Sequence, residues 1–189
     1  MPNRASPHAP GPAHASGPPV TTGGPGRHDI LAPGLDVVFC GLNPASSAEA
    51  DGHNFSHPSN RFWQVLHQAG FTDVQLRPDQ ERRLLDFGCG ITAAVARPTP
   101  RGTDITPDEF RTARDTLEAT VQCYAPGIIA FLGGRALAAM TRQPKVPLGE
   151  QTAAFAGTRT WVLPNPSGRN LHFTLPALVA AYAELRAAV

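Results

Sequence analysis

The sequence predicts an α/β fold: a single domain of three layers, α/β/α, whose central layer is a mainly parallel sheet. Short apolar runs of β type alternate with stretches of helical periodicity, which is typical of parallel sheets. Two apolar runs are followed directly by polar loops, at residues 41–45 and 165–170. Because ligands bind beyond the carboxyl ends of strands in open α/β sheets, we expect both loops to face one pocket.

The first half of the chain contains a predicted buried strand and a predicted helix that ends at a glycine. Residues 36–40 are predicted to be a buried strand, with apolar side chains at 37–40. In residues 60–69 the apolar side chains recur at near-helical spacing and stop at Gly70, a favourable left-handed helix terminus. Residues 78–87 place two leucines among charged side chains. A Gly-Cys-Gly break at 88–90 then precedes a short apolar run at 91–95.

The second half begins with a strong helix start signal. Thr106 supplies a capping hydroxyl, Pro107 suits the first helical position, and Glu109 completes a capping box, so a helix is predicted to extend to about Cys123. A buried strand follows at 128–132 and a short helix at 134–141. Further strands are predicted at 152–155 and 160–163, before a closing helix at 175–188.

The composition bounds the class of protein. A length of 189 residues predicts one domain, which we place at 29–189, after a disordered Pro-, Gly- and Ala-rich tail at 1–28. The tail lacks the apolar core of a signal peptide, and no apolar run reaches the roughly 20 residues of a membrane helix. We therefore expect a cytoplasmic protein with no membrane partner.

Cysteine usage and net charge give further expectations. Cys40, Cys89 and Cys123 are widely spaced and include no C-x-x-C pair, which argues against disulfides, zinc and iron–sulfur clusters. We expect no metal and no cofactor. The formal net charge of +1 indicates that any DNA contact is local. Six arginines are possible contributors to such contacts, although most of them are expected to be solvated surface arginines: Arg61, Arg97, Arg101, Arg111, Arg114 and Arg169.

Three residues near the first loop are candidates for chemistry. Pro44 biases Asn43 toward an extended conformation, which holds its amide in a defined direction. A carboxamide can orient a water but takes its proton poorly, so the substrate must leave with little help; the alternative is a simple turn. Phe55, in a polar loop, suits stacking on a flat heterocycle. His57 is either an acid or base or a structural hydrogen-bonding residue.

The second loop has a tip that suits insertion. Gly168 allows close backbone approach, and Arg169 adds a long cationic side chain. Proteins that act on a base extrude it from the duplex and fill the gap with an inserted side chain. The alternative is an Asx-type turn with a solvent-exposed arginine.

Taken together, these segments resemble the mismatch-specific uracil-DNA glycosylases, the bacterial relatives of eukaryotic thymine-DNA glycosylase. The resemblance runs from about Asp29 to the end of the chain. It rests on residues 31–35 (LAPGL), 37–44 (VVFCGLNP), 57–63 (HPSNRFW), 68–73 (QAGFTD), 84–86 (LLD), 89–92 (CGIT), 97–99 (RPT) and 161–168 (WVLPNPSG).

The resemblance implies a monofunctional, monomeric glycosylase that flips uracil out of a G·U mismatch in double-stranded DNA and hydrolyses its N-glycosidic bond. Related lesions such as ethenocytosine, and weakly thymine, are expected as further substrates. Asn43 matches the water-positioning residue of the family. The substrate contacts implied are Leu42, Ser47, Phe55 and Asn165, and the wedge and orphan-base contacts are Ser167, Gly168, Arg169, Asn170 and Leu171.

Two positions depart from the family pattern. Arg169 stands where bacterial relatives commonly carry Leu and the eukaryotic thymine-DNA glycosylases carry Arg, so the plug is expected to engage phosphate or the orphan base as well. Ala93 stands where enterobacterial relatives carry Lys. It is either a natural small residue, with catalysis left to Asn43, or a position from which a catalytic side chain has been removed.

Three competing interpretations remain at this point. Another branch of the superfamily would require an acidic residue in the first motif or four cluster-binding cysteines, and the sequence has neither. A DNA-binding module that senses mismatches without cutting them is compatible with the poor base at Asn43 and with Ala93. A generic α/β nucleotide-binding or structural domain is favoured only when each motif is considered alone.

Overall fold

The computed structural model describes residues 28–189 and contains a five-stranded sheet. The sheet order is β2-β1-β3-β5-β4, and all neighbours are parallel except β4, which pairs antiparallel with β5. This confirms the mainly parallel sheet. The strands are β1 (Val37–Gly41), β2 (Cys89–Ala93), β3 (Ile128–Leu132), β4 (Gly149–Glu150) and β5 (Arg159–Leu163).

Helices cover both faces of the sheet, which confirms the three-layer arrangement. The α-helices are α1 (Ser46–Asp51), α2 (Phe62–Gln68), α3 (Pro107–Tyr124), α4 (Arg135–Met140) and α5 (Leu175–Ala187), with 3-10 helices at Pro78–Phe87 and Gly102–Asp104. Apolar residues of α2 and α5 pack on one face of the sheet, and those of α3 and α4 pack on the other. Strands β1 and β3 are buried along their whole length because both of their faces are covered.

The helix boundaries follow the local signals. Thr106 Oγ1 accepts a hydrogen bond from the Glu109 backbone N–H, and the Glu109 carboxylate accepts one from the Thr106 backbone N–H. This capping box starts α3 where the sequence predicts it. Gly70, just beyond α2, has a φ of 82°, which confirms the left-handed stop.

Several sequence predictions were wrong in detail. Residues 152–155 do not form a strand; Phe155 makes only a single bridge with Thr158, and the edge strand is β4 instead. The predicted break at 88–90 is confined to Gly88, which ends the 3-10 helix at Pro78–Phe87 with a φ of 67°, and β2 begins at Cys89. Gly90 lies inside this strand, where a Cβ would come within 2.6 Å of the Ile30 carbonyl oxygen. Close packing of the 28–31 segment therefore explains this glycine.

The predicted tail at 1–28 lies outside the described residues, apart from His28. The His28 imidazole lies 3.2 Å from the Glu49 carboxylate in α1, a helix that the periodicity did not predict. Among residues 28–189, no helix is both long enough and apolar enough to cross a membrane.

The four parallel strands end at one edge of the sheet. Their last residues are Gly41, Ala93, Leu132 and Leu163. The chain therefore brings three polar segments together there: residues 42–45 after β1, residues 94–101 after β2, and residues 164–173 between β5 and α5. We refer to the last two as the 94–101 loop and the 164–173 loop.

Candidate active site

A cleft of about 330 Å³ opens at this edge of the sheet. It lies over the ends of β1 and β2, beside β3, where the sheet order places strands on either side of β1. Nine of the eleven residues assigned to the site from the sequence line it: Leu42, Asn43, Ser47, Phe55, Ala93, Asn165, Ser167, Gly168 and Arg169. The expectation that both polar loops face one pocket is confirmed.

Asn43 enters the cleft with its amide in a fixed orientation. Its Nδ2 donates hydrogen bonds to the carbonyl oxygens of Pro44 (3.0 Å) and Arg97 (2.9 Å) and to Thr99 Oγ1 (2.7 Å). Because all three partners are acceptors, the amide nitrogen is held toward the protein, and Oδ1 is the atom turned toward the cleft. A carbonyl-type oxygen in this position can accept a hydrogen bond from a water and so orient it.

Thr99 is a site residue that the sequence reasoning did not assign. Its side chain is buried, and its hydroxyl donates to the Arg101 carbonyl oxygen at 2.7 Å, which leaves a lone pair for Asn43 Nδ2. The hydroxyl therefore acts as an acceptor toward Asn43 and a donor toward the 94–101 loop. The only sequence signal was its place in the RPT segment of the family resemblance.

Phe55 lines the cleft with one ring face already covered. Its ring stacks on Phe62 with the centroids 4.0 Å apart and the planes at 28°. A flat ligand can therefore stack only on the opposite face. The residue has a φ of 54°, a left-handed conformation that costs a non-glycine residue about 1–2 kcal/mol. Backbone strain of this kind is concentrated at functional sites.

Ala93 is the last residue of β2, where it pairs with Gly41 of β1. It lines the main cleft and also a smaller cavity of about 20 Å³, which His28, Asp29 and Asn54 share. The smaller cavity has room for about one water molecule. Position 93 therefore borders both the main cleft and this smaller cavity.

Asn165 is committed to its own turn. Its Nδ2 donates to the Leu132 carbonyl oxygen at 3.1 Å, and its Oδ1 accepts the Ser167 backbone N–H at 2.9 Å. This is the Asx-type turn that the sequence analysis gave as the alternative for the loop. Asn165 reaches the cleft, but both ends of its amide are engaged by the protein.

Gly168 is required by close packing within the protein. A Cβ at this position would come within 2.5 Å of the Ser59 carbonyl oxygen, so the backbone approach expected at this glycine is made to Ser59. Arg169 is exposed and donates to the Pro100 carbonyl oxygen at 3.1 Å, which joins the 164–173 loop to the 94–101 loop. Asn170 and Leu171 lie outside the cleft, and Leu171 is 87% exposed.

His57 has a structural role that the sequence left open. Its Nδ1 accepts the Ser59 backbone N–H at 3.2 Å and lies 2.9 Å from Ser59 Oγ. In the neutral ring Nε2 therefore carries the proton. The ring lines the cleft, so it adds a hydrogen-bond donor rather than a base in that state.

The charged groups that line the cleft are arginines, of which Arg101 is paired with Asp104. Among the described residues, the lining includes Arg101 and Arg169 but neither aspartate nor glutamate. The pair of carboxylates that glycoside hydrolases of the common type use is therefore not present in this lining. Burial, assisted by the charge of Asp29, raises the pKa of the Cys40 thiol above its ordinary value, so this neighbouring cysteine stays neutral and is a poor nucleophile.

The family model for the uracil DNA glycosylase superfamily matches residues 28–186. The chain belongs to this superfamily, whose members are typically DNA glycosylases that hydrolyse N-glycosyl bonds during DNA repair. DNA is accordingly the class of substrate. The fold and the position of the cleft agree with this membership, and the match covers the whole of the sheet and the cleft.

Proposed function

We propose that the protein flips uracil out of G·U mismatches in double-stranded DNA and hydrolyses its N-glycosidic bond. The observation that carries the proposal is the orientation of Asn43, whose Nδ2 is held by three acceptors, so that Oδ1 is the end of the amide left for the cleft that Asn43 lines. In this reaction the bond between the base and C1′ breaks, and the electron pair leaves with uracil. A water held by Oδ1 forms the new bond to C1′ and loses its proton to solvent.

The cationic lining supports a leaving group that departs as an anion. Arg169 lies at the cleft beside Arg101, which is paired with Asp104, and no carboxylate of the described chain lines the cleft to repel developing negative charge. Phe55 offers one free ring face for the extruded base. The backbone N–H groups of Leu42 and Phe55 are proposed to donate hydrogen bonds to the oxygens of uracil. Recognition through backbone groups would also admit related lesions such as ethenocytosine and, weakly, thymine.

Replacement of Asn43 by alanine tests the catalytic assignment. We expect the single-turnover rate of uracil release from a G·U duplex to fall by at least about 100-fold, because the water loses its fixed position. Gln143→Ala removes an exposed carboxamide remote from the cleft and should leave the rate unchanged. Unaltered release by Asn43→Ala would reject the water-positioning role.

Replacement of Ala93 tests whether position 93 completes the site. Ala93→Asp and Ala93→Lys place a charged group at the cleft floor beside the small cavity, and we expect one of them to raise the single-turnover rate or change the substrate range. Ala153→Asp, at an exposed position in the β4–β5 connection, is the matched control for an added carboxylate. No change with either residue would place position 93 outside the catalytic machinery.

A mismatch-binding module that does not cleave is the second candidate, favoured by the poor base at Asn43 and the apolar side chain at Ala93. Measuring binding and excision on the same G·U duplex separates the two functions. Tight, mismatch-dependent binding without uracil release by the unmodified chain would replace the glycosylase proposal with this one.

A further inference from the structure

The 164–173 loop is built around the guanidinium group of Arg61. Nη1 donates to the Phe173 carbonyl oxygen at 2.7 Å, and Nη2 donates to those of Ser167 (2.9 Å) and Asn170 (3.0 Å). Nε donates to the Pro166 carbonyl oxygen at 3.3 Å, which also accepts the Arg61 backbone N–H at 3.1 Å. One side chain thus contacts four carbonyl groups spread over eight residues of the loop.

Arg61 differs from the arginines that form surface ion pairs. Its hydrogen bonds within residues 28–189 all go to backbone carbonyls, and its side chain is half-buried. Arg77, Arg111 and Arg159, in contrast, pair with carboxylates at the surface. Neither expectation from the sequence, a direct DNA contact or a solvated surface arginine, fits Arg61. Its position and partners indicate a role inside the protein.

The tip of the same loop is prepared for contact with a partner. Leu171 is almost fully exposed, and Arg169 is exposed beside the cleft mouth. The part of the loop below this tip is held by hydrogen bonds from Arg61 and by the close packing of Gly168 against Ser59. A loop that is held rigidly below an exposed tip suits insertion between stacked nucleobases, because an ordered loop loses less conformational entropy on binding.

We propose that Arg61 is a positioning residue that holds the 164–173 loop ready to enter the space left by a flipped base. This inference rests on the insertion role that the proposed function gives to the loop. The planar guanidinium presents donors in a fixed fork, whereas lysine offers a single ammonium and cannot reach four separated carbonyls. The planar geometry of the Arg61 guanidinium is therefore required as well as its charge.

Binding measurements test this role without requiring catalysis. The two probes are a duplex carrying a tetrahydrofuran abasic-site analogue opposite guanine and the same duplex fully paired. The measured quantity is the dissociation constant of the paired duplex divided by that of the abasic duplex, so a larger ratio means stronger discrimination. We expect Arg61→Ala to lower this ratio by about 10-fold and Arg61→Lys to lower it by a smaller factor. Hydrogen exchange of amides 165–173 should speed up in both variants.

Arg186→Ala is the matched control. Arg186 donates to the Gly70 carbonyl oxygen at 3.1 Å and lies over the Phe71 ring, and none of these three residues lines the cleft. This variant removes an arginine–carbonyl contact of the same kind and should keep the unmodified ratio. If reduced stability alone lowered the ratio in Arg61→Ala, then Arg186→Ala would show the same loss when its melting temperature falls by the same amount.

Arg169→Ala separates failure of this inference from failure of the proposed function. If Arg169→Ala lowers the ratio while Arg61→Ala and Arg61→Lys leave it unchanged, the loop inserts but Arg61 does not position it. If none of the three lowers the ratio, the loop does not insert and the inference falls with it. If Arg61→Ala does not fold, an unmodified ratio and unmodified amide exchange in Arg61→Lys overturn the inference. Uracil release is scored separately on the G·U duplex.

Discussion

At the residue scale, the amide of Asn43 is set by partners distant in the chain. Proline at position 44 restricts the backbone of Asn43, but it cannot decide which end of the amide faces the cleft. That choice is made by the carbonyl oxygen of Pro44 together with two acceptors 54 and 56 residues away, the carbonyl oxygen of Arg97 and the hydroxyl of Thr99. The 94–101 loop therefore contributes to the candidate active site by holding Asn43, although it supplies no acid or base.

Thr99→Val gives a test of this dependence. Valine matches threonine in shape but removes the acceptor that holds Asn43 Nδ2, and we expect a roughly 5–10-fold lower single-turnover rate on G·U duplex, the equivalent of one hydrogen bond. Thr99→Ser keeps the hydroxyl and should retain most of the rate. Equal rates for the valine and unmodified proteins would show that the two carbonyl partners suffice.

At the element scale, the 94–101 loop is tied to the start of α3. Arg97 forms an ion pair with Glu109, the residue whose carboxylate also caps α3 through the Thr106 backbone N–H. The hydrogen bond from Thr106, reinforced by Arg97, holds the pKa of Glu109 below its ordinary value of 4.5. The loop that orients Asn43 is thus anchored to a helix terminus.

Acid should weaken this anchor. Because the folded-state pKa of Glu109 is depressed, its contribution to stability is present above pH 4.5 and is lost as the pH falls through the folded-state value. We expect the melting temperature of Glu109→Gln to fall less between about pH 5 and pH 3 than that of the unmodified chain. Glu184→Gln, at an exposed position on α5, should follow the unmodified chain. Parallel acid profiles for all three proteins would contradict this assignment.

At the scale of the whole molecule, two apolar cores sandwich the sheet. Phe39 of β1 is fully buried in one of them, with its ring 5.5 Å from that of Phe62 and 5.3 Å from that of Phe71. Phe62 in turn supports Phe55 at the cleft. The aromatic packing of the core therefore continues to the surface on which a base would stack.

Phe39→Ala should be among the most destabilising changes in the chain. We expect the free energy of unfolding in urea to fall by about 3–5 kcal/mol, because the substitution leaves a cavity between β1 and α2. Phe39→Leu should cost less, since it retains most of the volume. Val74→Ala, at a position 44% exposed, should change stability by less than about 0.5 kcal/mol. A small loss for Phe39→Ala would indicate that the core collapses around the cavity.

Elements with strong local signals could be predicted from the sequence. Apolar runs identified β1, β3 and β5, the capping box fixed the start of α3, and strand–loop alternation led to the parallel sheet and the shared cleft. Weak or short elements escaped: β4 has two residues, and Gly90 looked like a break because its close neighbour, Ile30, is remote in sequence. Periodicity cannot register such contacts.

How the residues of the candidate site are held depends on contacts that form only in the folded chain. The motif around Asn43 indicated a water-binding amide, but only the folded chain shows Thr99 and the Arg97 carbonyl selecting its orientation. Arg61 looked like one surface arginine among several, and folding places its guanidinium amid four carbonyls more than 100 residues away. The physical reason is that hydrogen-bond partners are chosen by proximity in space, which a linear pattern of residue types does not contain.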